Sequence, residues 1–300
     1  MPSADHNGTD RCYLCPRKCG ARRGEGEVGV CGETNVMRVS RIALHPYEEP
    51  PISGRLGSGT VFFCGCSLRC VFCQNKDISR GAASGKQYSP KALADELFRL
   101  EAEGASNINL VTPTHFTDAV IETLSIAKPR LSIPVVYNTS GYERVSTLRS
   151  LEGLVDVYMP DFKYASPSLA SLYSSAPDYP SVAIKALREM FRQVGRCQYG
   201  EDGTLKRGLL VRHLVLPSCR KDSIEALTML SEALPVSDIL LSLMSQYTPE
   251  FALDCPHKSL HRRLTRFEYE SVAQHALALG FDGFTQSLSS AVKDYTPQFK

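Results

Sequence analysis

The sequence predicts an α/β fold built on a parallel sheet, and three observations predict it. Short apolar runs alternate with longer stretches of helical periodicity over residues 89–280. Helix start and stop residues stand at the junctions between them. The unusual polar residues gather just after the apolar runs, where an α/β sheet offers its strand ends to a ligand.

Taken in order, Ser89-Pro90 opens a helix, serine as N-cap and proline in the first turn. "KALADELFRLEAEG" continues it with helical apolar spacing and stops at Gly104. The run "INLV", Ile108 to Val111, reads as a strand and "TDAVIETLSIA" as the next helix. "SIPVVYN" is strand-like, "ERVSTLRSLEG" helix-like and "VDVYMPDF" strand-like again. A longer helix, "SVAIKALREMFRQVG", precedes the strand "GLLVRHLVLP", the helix "DSIEALTMLSEAL" and the strand "DILLSLMSQY". Thr265 and Glu268 have capping-box spacing before a last helix that Gly280 ends. Strands alternating with helices imply βαβ crossovers and a parallel sheet. An open doubly wound sheet and a full or partial barrel both satisfy this periodicity. Either way the ligand belongs at the carboxyl ends, which carry "TPTH" after Val111, "NTSGY" after Tyr137, "PDFKY" after Met159 and "SQYTP" after Met244.

Composition narrows the class. The 300 residues are 43% hydrophobic and 22% charged, enough for one large domain with a sizeable core or two smaller ones. A formal net charge of +2 gives no electrostatic reason to expect a nucleic acid or a membrane surface as partner. The opening "MPSADHNGTD" lacks the apolar core of a secretory signal, and no apolar run reaches the roughly 18 residues that span a bilayer.

Eleven cysteines are many for such a chain, and the odd number argues against complete disulfide pairing. They cluster: Cys12, Cys15, Cys19 and Cys31, then Cys64, Cys66, Cys70 and Cys73, with Cys197, Cys219 and Cys255 apart. Clustered cysteines without an export signal read as metal ligands in a reducing, cytoplasmic compartment. In "GTVFFCGCSLRCVFCQN", Cys66, Cys70 and Cys73 present three thiolates within eight residues. Three thiolates hold an iron–sulfur cube with one iron left open. The competing reading is a tetrahedral zinc site with Cys64 as fourth ligand, although Cys-x-Cys and Cys-x3-Cys are poor zinc spacings. Phe72 would wall the site. The first set offers four thiolates, a closed complement for either a structural zinc or an auxiliary iron–sulfur cluster, and the spacing favours neither. Residues 1–35 therefore read as a cysteine-rich metal-binding knob and residues 36–300 as the main body. Arg17, Lys18, Arg22 and Arg23 read as a solvated charge run, as does "HKSLHRRLTR" near the end.

The Cys66-x3-Cys70-x2-Cys73 arrangement, with an aromatic residue before the last cysteine, resembles the radical SAM superfamily signature. The longer "FFCGCSLRCVFCQN" is similar to the pyruvate formate-lyase activating-enzyme-like branch. The likeness runs on through "NINLVTPTHF", "YNTSGYE", "MPDFKY", "VRHLVLP", "LMSQYTP" and the N-terminal "CYLCPRKCG". It implies a partial (β/α)6 barrel with the N-terminal knob attached. It also implies a [4Fe-4S] cluster on Cys66, Cys70 and Cys73, with S-adenosylmethionine chelating the open iron. In such enzymes one electron cleaves a carbon–sulfur bond of the sulfonium, and the resulting 5′-deoxyadenosyl radical takes a hydrogen atom from the substrate.

Residue by residue, Thr112 to His115 stand where the superfamily has a Gly-Gly-Glu turn for the methionine amino group, and Pro113 has no N–H to offer. The resemblance then puts Thr114 and His115 at the cofactor, Asn138 and Ser140 near its ribose, and Asp161 and Lys163 at its carboxylate. Arg212 falls on a later barrel strand, and Gln246 takes the place of an adenosine-contacting histidine. Each has an ordinary alternative: a solvated ion pair for Asp161 and Lys163, turn geometry for Asn138, a loop role for His115, and sheet-edge positions for Arg212 and Gln246. The branch implies a one-electron donor such as a flavodoxin or ferredoxin, and possible substrates are a glycyl radical enzyme, another peptide, a small metabolite or an RNA. A non-catalytic iron–sulfur or zinc protein is the reading from another class.

Overall fold

The computed structural model describes residues 11–80 and 85–285. The opening decapeptide, considered for an export signal, and residues 286–300 of the main body lie outside them. In chain order the elements are β1 (Arg38–His45), α1 (Pro50–Ser53), β2 (Ser58–Phe63), α2 (Lys76–Ser79), β3 (Lys86–Gln87), α3 (Pro90–Ala102) and β4 (Ile108–Val111). There follow α4 (Thr117–Ala127), β5 (Val135–Thr139), α5 (Val145–Arg149), β6 (Val157–Pro160), α6 (Pro167–Ser174), α7 (Tyr179–Val194) and β7 (Gln198–Tyr199). The chain continues through β8 (Leu205–Leu214), α8 (Arg220–Ala233), β9 (Leu240–Met244), α9 (Arg266–Ala278) and β10 (Gly283–Thr285).

The helix signals in the sequence act as expected. Ser89 caps α3 by accepting from the Ala92 N–H, and Ser166 caps α6 by accepting from Leu169. Thr265 and Glu268 close a reciprocal capping box on α9. On α3, Leu93, Leu97 and Leu100 share one buried stripe, each contributing about 1.5–3 kcal/mol by burial. The helix over "ERVSTLRSLEG" is only α5, five residues long. The periodicity of the sequence does not reveal β1, α1 or α6.

The sheet order is β10-β9-β8-β6-β5-β4-β2-β1-β3, with β7 beside β8. Strands β2, β4, β5, β6, β8, β9 and β10 run parallel, while β1 is antiparallel to β2. This is a partial (β/α)6 barrel: a largely parallel sheet whose two edges, among the described residues, do not pair with each other. Its strands are apolar on both faces, as a sheet covered on both sides requires. Tyr137, Tyr158, Leu209, Val211 and Leu241 pack outward beneath helices. Val136, Val157, Met159, Leu210 and Leu240 face inward and surround Ile52 of α1.

Period-two alternation then places the next inward residue on each strand at the carboxyl end. Val136 is followed by Asn138, Met159 by Asp161, Leu210 by Arg212 and Leu240 by Ser242. Register sets Asp161 beside Arg212 and Arg212 beside Ser242. The apolar lower half of the barrel thus becomes polar at the level of the site. Among the described residues, no helix is long and apolar enough to cross a membrane.

Candidate metal and cofactor site

Strand β2 runs directly into the cysteine loop. Gly65 turns it at φ +80°, and a Cβ there would meet the Cys31 carbonyl oxygen at 2.8 Å and Glu33 Cγ at 2.5 Å. The loop then brings Cys66, Cys70 and Cys73 onto one cavity of about 490 Å3, a size suited to a small-molecule ligand. The Cys66 sulfur accepts from the Leu68 N–H at 3.4 Å. The Cys70 sulfur accepts from Ser174 Oγ at 3.0 Å, and that hydroxyl meets Tyr164 OH at 2.8 Å. Phe72, expected to wall the site, is not among the residues that line the cavity; it stands edge-on to Tyr164, Tyr173 and Tyr247 in the core behind the loop.

Burial pushes the Cys66 thiol up to about 12, and Cys73 and Cys70 add to the shift. Burial also raises Cys73, with Cys70 next. Burial and the neighbouring Cys70 disfavour the Cys66 and Cys73 thiolates, a cost that a cationic iron centre would remove, so the residues fit the cluster. Among the described residues no group of His, Cys, Asp or Glu closes around a single metal ion. Cys64 is off the cavity; its sulfur sits where a Cβ on Gly85 would be, and Arg38 is nearby. Nothing in this geometry makes it a fourth ligand beside the other three.

Asn138, Ser140, Asp161, Lys163, Arg212 and Gln246 line the same cavity. Asp161 binds Arg212 Nε at 2.9 Å through one oxygen and Lys163 Nζ at 2.6 Å through the other. Arg212 Nη2 donates to Asn138 Oδ1 at 2.8 Å. Burial works against the charged form of Asp161, but Arg212 and Lys163 outweigh it and hold the carboxyl below its usual range. Burial likewise lowers Lys163 and Arg212, and Asp161 reverses both.

Thr114 and His115 are corrections to the sequence reading, because neither reaches the cavity. Thr112 takes a left-handed φ of +61°, strained for a β-branched residue, and donates its N–H to the Asn138 carbonyl at 2.8 Å. The 3-10 turn Thr114–Phe116 then rolls both side chains behind the sheet. Thr114 Oγ1 donates to Glu143 Oε1 at 2.5 Å, and His115 Nε2 lies 2.6 Å from the Cys64 carbonyl oxygen. Burial drives His115 down to about 3, so it stays neutral there. Val111 and Thr112 take the cavity positions instead.

Sequence reading also missed Glu143, whose Oε1 accepts from Thr114 and Thr139 while Oε2 has no partner among the described residues. Burial lifts its carboxyl from 4.5 to about 7. A raised carboxyl favours the fold below its unfolded value and loses that contribution as pH climbs through the folded one. Glu143→Gln has no such loss. Its stability relative to the parent is expected to rise by about 2–3 kcal/mol between pH 5 and pH 8. Urea unfolding at the two pH values measures it, and a pH-independent difference contradicts the burial described here.

Residues 11–35 pack against the cysteine loop. Burial raises Cys15 to about 12, with Cys12 and Cys31 adding to it, and raises Cys31 against the opposing charge of Arg23. The sulfurs of Cys19 and Cys31 lie 3.4 and 3.3 Å from the Cβ position of Gly29, so all four thiols share one neighbourhood. Two of the arginines expected in solvent are tied down. Arg23, 4% exposed, donates to the carbonyls of Glu33, Thr34 and His115 and reaches the Cys12 sulfur at 3.6 Å. Arg17 donates to the Ser67 and Ser174 carbonyls at 2.8 and 2.7 Å. The Cys66 N–H itself donates to the Cys31 carbonyl at 3.0 Å.

No family model matches the chain. Two uncharacterized proteins of Methanocaldococcus jannaschii are similar to it. MJ0674 is 29% identical over 90% of this chain and 75% of its own length. MJ0808 is 28% identical over 51% of this chain and 49% of its own. Among solved structures, a radical SAM methyltransferase from Sphaerobacter thermophilus matches with a TM-score of 0.50 at 14% identity, over 76% of this chain and 66% of that one. Streptococcus suis SuiB, crystallised with its precursor peptide SuiA, matches with a TM-score of 0.53 at 16% identity, over 83% of this chain and 51% of that one. The chain thus spans about two thirds and about half of those two structures. These likenesses establish the fold, which is that of radical SAM proteins.

Proposed function

We propose that the chain is a radical SAM enzyme that binds a [4Fe-4S] cluster on Cys66, Cys70 and Cys73 and S-adenosylmethionine in the adjoining cavity. One observation carries the reading: the three thiols and the Asp161–Lys163–Arg212–Asn138 network line the same cavity at the carboxyl ends of a radical SAM barrel. When bound, the cluster supplies one electron to the sulfonium, giving methionine and a 5′-deoxyadenosyl radical that abstracts hydrogen from the substrate. The chain's own residues orient and shield. Lys163, steered by Asp161, offers a cation to the cofactor carboxylate. Asn138 gives its carbonyl oxygen to Arg212 and keeps its amide N–H groups for a ribose hydroxyl. Phe62, Val111 and Met244 add apolar lining to the cavity, which helps exclude water.

Ser174 is placed to tune the metal centre, since a hydrogen bond to a ligand sulfur stabilises the reduced, more negative state. Ser174→Ala is expected to lower the midpoint potential by about 40 mV, one hydrogen bond of about 1 kcal/mol expressed for one electron. An EPR-monitored redox titration reads it, with Ser174→Thr expected to restore part of the shift; unchanged potentials refute the tuning.

The test of the function is anaerobic reconstitution followed by dithionite and S-adenosylmethionine. Release of 5′-deoxyadenosine without added substrate supports the reading, and its absence from iron-loaded protein ends it. About four irons per chain assign the knob cysteines Cys12, Cys15, Cys19 and Cys31 to zinc, and about eight assign them to an auxiliary cluster. The physiological electron source in this reading is a flavodoxin or ferredoxin. Activation of a glycyl radical enzyme and modification of a peptide, metabolite or RNA are separated by deuterium transfer from labelled candidates into 5′-deoxyadenosine. The polar ring around the cavity weighs against a mere electron carrier, which has no use for it.

A further inference from the structure

The cysteine loop has an outer surface as well as a cavity side, and cations crowd it. Lys18, Arg69 and Arg80 are exposed, with Arg17 half-buried behind them, and none of the four lines the cavity. Arg80 Nη2 donates to the Cys70 carbonyl at 3.1 Å, and Arg17 donates to the carbonyls of Ser67 and Leu68 at 2.8 and 3.3 Å. Arg69, next to Cys70 in the chain, reaches the Val30 carbonyl at 3.5 Å and so brings knob residues 28–30 to the loop. Within that segment the Cβ position of Gly29 lies 3.4 Å from the Cys19 sulfur, which sets Lys18 beside it.

Carbonyl oxygens hold these guanidinium groups in place without cancelling their charge. Among the described residues Arg17, Arg69 and Arg80 hydrogen-bond to carbonyls, and none of the four cations forms an ion pair. Of the carboxylates on the same segments, Glu25 and Glu27 are taken by Arg22 and Glu33 by Arg38, which leaves Asp77 of α2. Among the cations stand two exposed apolar side chains, Val28 at 59% and Val30 at 44%. Backbone strain marks two of the cations as well. Lys18 and Arg69 hold left-handed φ values of 44° and 56°, a region that glycine, asparagine and aspartate enter far more readily. Local folding alone favours one of those three, so a long cation at both positions needs another reason.

We propose that this face, with Val28 and Val30 among Lys18, Arg69 and Arg80, is the docking surface for an acidic one-electron carrier protein. The partner's role rests on the proposed function, in which each cycle draws one electron from the centre on Cys66, Cys70 and Cys73. In the docked pair the carrier gives up one electron and that centre gains it; no bond or proton changes place. The cations steer and orient the acidic partner, and the valines supply the apolar middle of the contact. Docking there leaves the cavity open to cofactor and substrate. Valines in place of base-stacking aromatic rings, with a net charge of only +2, favour a protein over a nucleic acid.

Binding is read first and needs no turnover. An acidic flavodoxin and an acidic ferredoxin, both oxidised, are titrated calorimetrically into the iron-loaded protein at low and at high salt. Lys18→Asn and Arg69→Asn are made singly and together, because asparagine accepts the left-handed backbone and spares the fold. Lys18→Asp with Arg69→Asp reverses the charge on the same backbone. At least one carrier is expected to bind the parent more weakly as salt rises, and the double asparagine variant about tenfold more weakly than the parent, with the double aspartate variant weaker still. Stopped-flow reduction of the centre by photoreduced flavodoxin follows the same order, whereas dithionite, which needs no docking, reduces parent and variants alike. Binding that survives both double variants, or no binding of either carrier to the parent, overturns the docking surface. So does a preference of the same face for transfer RNA in the same titration. Failure of dithionite and S-adenosylmethionine to give 5′-deoxyadenosine counts against the proposed function alone, because the titrations still decide the surface.

Discussion

Alanine at Cys66, Cys70 or Cys73 is expected to bring the iron held by the loop to background and to abolish 5′-deoxyadenosine release, whereas serine at Cys64 leaves both intact. The three cysteines share one cavity, and burial together with the neighbouring Cys70 raises the cost of ionising Cys66 and Cys73 until a metal centre takes the three together. Removing one leaves two thiolates for a cube that needs three to be held with one iron open. Cys64 lies on the other side of the Gly65 turn, against Arg38 and Gly85, and its loss empties no position on the cavity. Iron and acid-labile sulfide assays with electronic absorption measure the first half, and chromatography of the nucleoside product the second. Equal loss of metal in the Cys64→Ser variant, or zinc in place of iron in anaerobically purified protein, would mean that the loop closes a four-sulfur site.

The second large effect belongs to Asp161. Its two oxygens neutralise Arg212 and Lys163 in a place where the three side chains are 16–19% exposed, so solvent screens them little. Asp161→Ala leaves two neighbouring cations facing each other with their nearest acceptor gone, a loss of about 3–5 kcal/mol of folding stability. Asp161→Asn keeps the shape and one acceptor and should fall between. The depressed carboxyl stabilises the fold above its unfolded value near 3.8 and is lost as pH falls through the folded one. The parent alone should therefore show this acid limb, below about pH 4. Chemical denaturation across pH reads both features. A loss under about 1 kcal/mol would place the trio among ordinary surface pairs.

Much of this was legible in the residues, and the reasons separate what was from what was not. The runs "INLV", "SIPVVYN" and "DILLSLMSQY" announce strands because both faces of a covered parallel sheet are apolar. The same alternation delivers Asn138, Asp161 and Arg212 to the cavity, since two residues along a strand return to the same face. Thr114 and His115 failed because that rule stops at the strand end: a left-handed Thr112 rotates the residues after it, and no local pattern encodes the rotation. Arg17 and Arg23 resembled a solvated run because their acceptors, the carbonyls of Ser67, Ser174 and His115, are far away in sequence. Glu48 and Glu49, which line the cavity from the loop between β1 and α1, gave no signal, since a loop without periodicity has no predictable face. Ser174, at the end of α6, was invisible for the same reason.

The amide of Cys66 rests on the carbonyl of Cys31, and Arg17 grips the neighbouring Ser67. A deletion of the first 35 residues is therefore not the clean removal of an appendage. It strips an acceptor and a clamp from the loop that presents the sulfurs, and inactivity of such a shortened protein would report a misshapen loop as readily as a severed supply of electrons. Point replacements of Cys12 and Cys15, which leave that carbonyl in place, are the variants that isolate what the knob itself contributes.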